Sequence, residues 1–338
     1  MRVLSVVRTH YYGNPGAVEP MHLYLTVPLR QMGHEVETFD PYDATAHLSR
    51  EHRTELLVQK IRDGGFQLVL YASAGEEPVA TEALSEISRK ICTVAWNSDD
   101  DWLWERTRQR AGHFTFMVTT YPHIYEENRR QYPNLLLSQW ACLGTHGEFA
   151  REKDIAFSFA GAVYRIRNAA CRHLRRRAGL LCFGRGARLV HLGLPYLRGA
   201  FRFPWLIGPA LDFADINRIW NRTRVSYCPL GGGPSGQVLS LKSRIFDMGD
   251  SGTLMLCEHS PNLERYYEPG RECVTFTGLE DCAEKAIWYL AHESERARIA
   301  GNYRDRTRQE NMWTHRFKEL LDRVGLSCSA GRATASSA

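Results

Sequence analysis

Short apolar runs alternate with segments of helical periodicity along almost the whole chain. The first runs are RVLSVV (2–7), EVETFD (35–40) and FQLVLYA (66–72), and the segment MHLYLTVPLRQMGH (21–34) carries apolar residues at helical spacing between the first two. Strands joined through helices pair in parallel, because the chain has to return to the same edge of the sheet before the next strand begins. The sequence therefore predicts an α/β fold built on parallel sheets.

The alternation is interrupted once, near residues 145–153, and then restarts. Further strands are predicted at 92–96, 114–120, 135–140, 155–161, 179–184, 224–230 and 273–276, and helices near 77–90, 122–131, 165–178 and 213–222. At 338 residues the chain is long for one compact unit. We expect two Rossmann-like domains, 1–150 and 151–325, that face a central cleft, followed by a disordered polar tail at 326–338.

Composition narrows the classes of function. The net charge is +5, and the basic residues are not interleaved with aromatic ones as in a nucleic-acid module, so no nucleic-acid partner is predicted. The nine cysteines include no C-x-x-C pair and several lie in apolar runs, which indicates buried thiols in a reducing compartment. The N-terminal apolar run is too short for a signal sequence or a membrane span, so we expect a cytoplasmic protein.

A glycine-rich loop, PLGGGPSGQ (229–237), lies between a predicted strand and a predicted short helix. Gly231 and Gly232 let the backbone approach a ligand closely, and a helix N-terminus favours an anion such as a diphosphate. A flexible loop with a solvated helix face is the alternative interpretation.

The helix that follows lies in LSLKSRIFDMGDSGTLML (239–256). Arg244 and Asp247 share a polar arc beside its apolar stripe. Asp250 is expected to face solvent at the helix end, where a carboxylate opposes the helix dipole. The direction of Lys242 depends on where the helix begins.

The segment from LKSRIFDMGDSGTLML to HESERARIAGNYRDR resembles the C-terminal part of group 1 glycosyltransferases with the GT-B fold, in the branch that includes spore-maturation-type proteins. Upstream, WNSDDDW, FMVTTYP, LLLSQWACLG and FSFAGAVYRIRNAACRHLR resemble the same branch in the same order. The resemblance covers roughly residues 60 to 315. It implies two Rossmann-like domains, with a nucleotide-sugar donor held by the second and an acceptor by the first.

The resemblance also implies roles for individual donor-site residues. Asp247 stands where the family usually has a glutamate that accepts hydrogen bonds from the donor ribose, and Arg244 and Lys242 stand where the family presents cations to the diphosphate. Gly161, in SFAGAVY, resembles the loop that opens the second domain towards the donor, with a simple turn glycine as the alternative. Leu239 replaces a glutamate found in many retaining members, so inversion or retention stays open. No metal and no cofactor beyond the nucleotide-sugar co-substrate is expected.

WNSDDDW (96–102) closes a predicted strand of the first domain. Adjacent carboxylates such as Asp99 and Asp100 repel one another, which raises a pKa and suits a general base for an acceptor hydroxyl. Two alternatives are an N-cap cluster for the next helix and a D-x-D metal site of the GT-A type, although the two-domain alternation argues against the latter.

The first loop, RTHYYGNPGAVEP (8–20), follows the first strand and is expected to line the cleft. The GT-B resemblance implies that this region meets the acceptor. His10 is a second candidate base, with a solvent-exposed histidine as the alternative, and Tyr11, Tyr12 and Gly13 would shape the acceptor pocket.

The leading hypothesis is a glycosyltransferase that moves a sugar to a hydroxyl or amine acceptor, either a small natural product, as in antibiotic biosynthesis, or a cell-surface or spore glycan. A nucleotide-sugar epimerase of the same fold and a catalytically inactive glycosyltransferase-like binding protein are the alternatives. The basic run RHLRRR (172–177) is compatible with weak contact with an anionic membrane surface, although it also fits a solvated helix face.

Overall fold

The structure is a computed structural model and describes residues 1–11, 16–43, 49–72, 77–144, 152–196, 204–232 and 238–326. Three sequence predictions fall outside these ranges. They concern Tyr12 and Gly13, most of the expected domain boundary, and the tail beyond residue 326.

The first half of the chain forms a sheet of six parallel strands in the order β2-β1-β3-β4-β5-β6. The strands are β1 (Arg2–Val6), β2 (Glu35–Phe39), β3 (Leu68–Ala72), β4 (Cys92–Asn97), β5 (Phe116–Thr119) and β6 (Leu135–Leu137). The helices between them are α1 (Pro20–Gln31), α2 (Arg50–Asp63), α3 (Asp100–Thr107) and α4 (Pro122–Asn128). Every strand predicted in this half is present.

The α-helix predicted near 77–90 is wrong, because the structure has two 3-10 turns there, Thr81–Leu84 and Ile87–Arg89. The buried residues Thr81, Leu84 and Ile87 recur every third position. A period of three matches the three residues per turn of a 3-10 helix, in which side chains three apart eclipse one another.

The second half forms a sheet of five parallel strands in the order β13-β12-β9-β7-β8. Its strands are β7 (Ile155–Ala160), β8 (Leu181–Phe183), β9 (Thr223–Cys228), β12 (Leu254–Glu258) and β13 (Val274–Phe276), and the short antiparallel pair β10 (Gly231–Gly232) and β11 (Val238–Leu239) lies apart from it. The helices are α5 (Arg165–Ala178), α6 (Ala187–His191), α7 (Pro204–Ile207), α8 (Phe213–Arg222), α9 (Ser243–Asp247), α10 (Leu279–Ala291), α11 (Glu293–Glu310) and α12 (Trp313–Arg323).

In each sheet, the first strand of that half of the chain lies between the second strand and the third. In such a sheet the crevice between the first and third strands opens at their carboxyl ends, and ligands bind there. In the second half this crevice lies between the ends of β7 and β9, that is, between Gly161 and Gly231.

One hydrophobic core joins the two halves. It contains apolar side chains from the face of the first sheet under α1 and from the face of the second sheet under α8 and α9. The last helix, α12, packs against α1, so that Trp313 lies 5.1 Å from Tyr24 and 5.2 Å from Trp96 between ring centroids. The C-terminal helix therefore completes the first half of the molecule.

Each sheet also has a second covered face. Apolar residues of α2, α3, α4 and the two 3-10 turns cover the first sheet, and α5, α10 and α11 cover the second. The cysteines within the described ranges are free, and all except the half-buried Cys92 are buried, as the sequence predicted. Among the described helices, none has the length and apolar character needed to cross a membrane.

Candidate active site

The turn after β7 comes very close to the neighbouring strand end. Gly161 has a φ of 141°, and its N–H donates to the Phe183 carbonyl at 3.0 Å. A Cβ on Gly184 would lie 2.7 Å from the Gly161 carbonyl oxygen, so only glycine fits beside this turn. After β9, the N–H groups of Leu230 and Gly231 donate to Glu258 Oε2 at 2.9 and 3.3 Å. Both backbone segments are thereby fixed at the mouth of the crevice.

Arg244 reaches this crevice from the first turn of α9. Its guanidinium lies 4.9 Å from the Phe159 ring centroid, and its Nη2 would be 3.3 Å from a Cβ on Gly161. Its Nη1 is buried and has no hydrogen-bond partner. Burial lowers the pKa of Arg244 to about 10, and the positive charge of Arg167 adds to this effect. A buried cation without a partner is costly, which indicates a place for an anion.

Arg167, on the first turn of α5, is a site residue that the sequence analysis missed. It donates to the carbonyls of Ala162 at 2.7 Å and Gly231 at 3.4 Å, and so bridges the two sides of the crevice. Burial lowers its pKa. A cation in the first turn of a helix is unfavourable with respect to the helix dipole, but this local feature does not show that Arg167 reaches Gly231.

Lys242 occupies the N-cap position of α9, so it precedes the helix and lies off its polar arc. Burial lowers its pKa, and the negative charges of Asp101 and Asp99 from the first half oppose that shift. The structure thus brings together four sequence-predicted residues, Gly161, Gly231, Lys242 and Arg244, and adds Arg167. Three cations converge on one crevice, an arrangement suited to a diphosphate.

The two predicted catalytic aspartates lie in different surroundings. Asp99 is the N-cap residue of α3 but makes no capping hydrogen bond through its side chain. Burial raises its pKa, Lys242 opposes this shift and Asp101 adds to it, so Asp99 faces the cations across the cleft. Asp100 is 1% exposed, and burial raises its pKa to about 6, with the nearby Thr119 and Thr107 opposing the shift. Asp100 therefore belongs to the interior of the first sheet.

Asp247 lies in the seam between the halves and is 1% exposed. The Tyr24 hydroxyl donates to its Oδ2 at 2.5 Å, and the Cys142 thiol donates to its backbone carbonyl at 3.6 Å. Burial raises the pKa of Asp247 to about 8, and the Tyr24 hydrogen bond opposes that shift. In this structure its carboxyl group contacts the protein, and the ribose contact that the resemblance implies stays a prediction.

The expectation that Asp250 faces solvent is wrong. Asp250 is 7% exposed, and its Oδ1 accepts a hydrogen bond from Arg308 Nε at 2.5 Å. It lies on the 3-10 turn Met248–Ser251 that extends α9, and this turn packs against α11. The ion pair between Asp250 and Arg308 outweighs the unfavourable interaction of a carboxylate with the C-terminal end of the helix dipole.

The first loop follows the carboxyl end of β1. His10 is exposed, its Nδ1 lies 2.9 Å from Thr9 Oγ1, and its backbone pairs with Val18. Tyr11 donates its N–H to the Ala17 carbonyl at 2.8 Å. Among the residues that the structure describes, the start of the loop is therefore hydrogen-bonded to its end.

Glu19, at the end of this loop, is a second residue that the sequence analysis missed. Burial raises its pKa to about 7, and the positive charge of Arg8 opposes the shift. A carboxyl group with that pKa is suited to acid–base chemistry near neutral pH.

Residues 165–322 match a family model described as "Glycosyl transferase-like". A comparison with curated proteins gave no match. The matched segment starts with α5 and contains Arg167, Lys242, Arg244 and Asp247.

Solved structures of glycosyltransferases share the fold. HepE from Anabaena, in complex with UDP and glucose, is 10% identical, with 96% of this chain and 99% of that chain covered and a TM-score of 0.63. Sucrose-phosphate synthase from Thermosynechococcus elongatus is 11% identical, with 96% of this chain and 99% of that chain covered and a TM-score of 0.60. An α-glucosyltransferase in complex with UDP and a 13-mer DNA is 12% identical, with 96% of this chain and 100% of that chain covered and a TM-score of 0.68.

The likeness to these structures shows the fold, an α/β arrangement of two parallel-sheet units as in GT-B enzymes, which confirms the predicted fold class. The family match covers residues 165–322, less than half of the chain, so the activity that it points to is a proposal.

Proposed function

We propose that the chain is a glycosyltransferase that uses a UDP-sugar as donor and holds its diphosphate in the crevice between β7 and β9. The observation that carries the proposal is Arg244, a half-buried side chain whose buried Nη1 lacks a partner, beside Arg167 and Lys242. A diphosphate would supply the missing acceptors, and its charge would offset the cost of burying the three cations.

The same cations would act in the reaction itself. When the sugar leaves, negative charge grows on the departing nucleotide diphosphate, and fixed positive groups stabilise that charge most strongly where water is excluded. We propose that Arg244, Arg167 and Lys242 perform this role without a metal ion. The UDP bound to HepE and to the α-glucosyltransferase supports the choice of nucleotide.

For the base, we propose Asp99 ahead of Asp100 and His10. The pKa of Asp99 is raised by burial, and the positive charge of Lys242 opposes that shift. Asp100 is 1% exposed, and His10 is exposed in the first loop. For Asp247 we keep the ribose role as a proposal, in which its Oδ1, which has no hydrogen-bond partner, accepts from the ribose while Oδ2 keeps its hydrogen bond from Tyr24.

The finer assignments are also proposals. The resemblance supports the spore-maturation-type branch and a hydroxyl or amine acceptor from natural-product (antibiotic) biosynthesis or a cell-surface or spore glycan, with the first loop at the acceptor. The buried free thiols support a cytoplasmic location. Weak contact of residues 172–177 with a membrane has the least support of these proposals. His173 and Arg177 both pair with Glu280, which leaves less basic charge for anionic lipid.

A nucleotide panel tests the donor. Titration calorimetry with UDP, GDP, ADP and dTDP should give the tightest binding with UDP, and UDP-glucose should release UDP faster when an acceptor is added. Absence of binding by all four nucleotides would refute the proposal. Equal UDP release with and without acceptor would contradict the transfer reaction.

Arg244→Gln tests the phosphate contact. Charge-assisted hydrogen bonds contribute about 1.5 to 3 kcal/mol, so we expect UDP affinity to fall roughly 10- to 100-fold. Because Arg244 Nη1 has no protein partner, thermal stability without ligand should stay the same or rise. Arg298→Gln, which alters an exposed arginine paired with Glu295, is the matched control and should leave UDP binding unchanged. A variant that lost stability and kept its UDP affinity would show a structural role instead.

A further inference from the structure

A groove of about 450 Å³ lies on the seam between the two halves. One wall comes from the first loop and α1, and the other from the start of α8. The apolar residues that line it are Val18, Leu23, Val27, Leu143, Phe213 and Ala214, and Asp212 and Arg218 add charged groups from α8 and the residue before it. Val18 is 40% exposed, so the groove is open to solvent.

The groove begins beside the crevice that holds the three cations. A Cβ on Gly184 would lie 2.7 Å from the Gly161 carbonyl oxygen and 3.4 Å from Leu211 Cδ1. Gly161 lines the crevice, and Leu211 directly precedes the groove wall that starts at Asp212. On the opposite side, Val18 pairs with His10 at the carboxyl end of β1. A molecule in the groove can therefore extend towards the donor.

Two asparagines add polar groups to this apolar surface. Asn217 and Asn221 line the groove from one face of α8, and Asn217 is 8% exposed. The Oδ1 atoms of both side chains are buried and accept no hydrogen bond. The Nδ2 group of Asn221 donates to the Asn217 carbonyl at 3.0 Å, which assigns the orientation of that amide. A ligand with hydroxyl or amine groups would supply the missing donors.

We infer that this groove is the acceptor subsite and that the acceptor is a small molecule with an apolar body bearing a hydroxyl or amine group. The inference rests on the proposed function, because it places the nucleophile next to a sugar donor. The volume lies in the range of small-molecule pockets, which are lined mainly by apolar groups with a few polar ones. A glycan chain presents hydroxyls on all sides and would leave them unpaired against these walls.

The test uses the purified full-length protein and 4-alkylphenols with ethyl, propyl and butyl chains. Each buried methylene contributes about 0.8 kcal/mol, so calorimetry should show affinity rising by up to roughly fourfold per added carbon. Ala214→Trp should fill the groove and weaken 4-butylphenol binding at least tenfold. Ala214 is exposed at the second position of α8, so the larger side chain does not disturb the core. Ala297→Trp, at an exposed position of α11, is the matched control and should bind like the wild type.

Direct binding separates the two proposals. If UDP binds and 4-butylphenol affinity depends neither on chain length nor on Ala214→Trp, the groove is not the acceptor subsite, and the donor proposal stands. If the alkylphenols bind as expected and no nucleotide binds, the donor proposal fails, and with it the acceptor role of the groove. With both ligands bound, Ala214→Trp should lower UDP release from UDP-glucose and 4-butylphenol while UDP affinity stays constant. Unchanged UDP release in that variant would also overturn the inference.

Discussion

Two ionisable side chains of α9, the half-buried Arg244 and the buried Asp247, serve the molecule in opposite ways. Arg244 keeps its charge without a protein partner for Nη1, which leaves it available to a ligand. Asp247, one turn later, has a pKa near 8, so at neutral pH it is mostly protonated and shares a hydrogen bond with Tyr24. The first is arranged for binding, whereas the second holds the two halves together in this structure.

Asp247 predicts a dependence of stability on pH. The pKa of Asp247 is about 8 in the folded protein and near 3.8 in the unfolded chain. Its contribution to the free energy of unfolding is therefore complete below about pH 4 and is lost as the pH rises to about 8. The free energy of unfolding should fall by up to about 1.4 kcal/mol per pH unit in that window. Asp247→Asn cannot ionise and should flatten the slope in urea denaturation between pH 5 and 8.

The control for that slope is Asp154→Asn, which alters an exposed carboxylate paired with Arg222. The pKa of Asp154 is lowered, so its removal should not flatten the slope. Identical slopes in the wild type and Asp247→Asn would mean that the Asp247 carboxyl is already ionised in the folded protein.

Sequence reasoning identified Lys242, Arg244, Gly161 and Gly231, and the structure places them at one crevice. It missed Arg167, because only the fold brings the first turn of α5 to the strand end at Gly231. The burial of Asp247 depends on Tyr24, 223 residues away in the chain, which helical periodicity cannot show. Local patterns report which face of an element is polar, but not what that face meets.

Among the elements, the 3-10 turn Met248–Ser251 packs against α11 with a very close approach of a glycine to a side chain. A Cβ on Gly249 would lie 2.1 Å from Thr307 Oγ1, and the neighbouring Asp250 pairs with Arg308. The turn can sit this close to α11 only because residue 249 has no side chain. The strand and most helix positions followed from apolar periodicity, whereas this contact, like the 3-10 turns at 81–89, depends on neighbours that are distant in sequence.

Gly249→Ala tests this contact. Overpacking of this kind typically costs about 1 to 3 kcal/mol, and we expect a loss of at least that size in the free energy of unfolding from urea titration. Gly301→Ala, in the middle of α11 with no atom near the added Cβ, is the control. It should stabilise the protein by about 0.5 to 1 kcal/mol, since alanine favours a helix over glycine. Equal effects of the two substitutions would show that the turn moves freely on α11.

At the scale of the whole molecule, the two sheets share one core, in addition to the separate core on the other face of each. Trp313 is 1% exposed and packs on Tyr24 and Trp96 of the first half, although it belongs to a helix near the end of the chain. The alternation of strands and helices predicted two units correctly at the level of sheets. It could not show that α12 packs against the first unit, because the apolar face of a helix does not indicate which element it contacts.

Trp313→Ala should therefore destabilise both halves together. A large buried aromatic replaced by alanine typically costs about 3 to 5 kcal/mol. Hydrogen exchange should show the amides of β4 and β9 losing protection at the same, lower urea concentration. Trp288→Ala, at a tryptophan that is 45% exposed on α10, should change stability by about 0.5 kcal/mol or less. Loss of protection confined to β9 would mean that the halves unfold independently.

The return of α12 also bears on how the chain is made. The last strand of the first sheet ends at Leu137, but the helix that covers Trp96 begins only at Trp313. At about 5 to 20 residues per second, a ribosome needs on the order of 10 to 40 s to synthesise the segment in between. During that time the growing chain exposes an uncovered apolar face of its first sheet, so the emerging polypeptide depends on rapid burial or on a chaperone until its final helix is released.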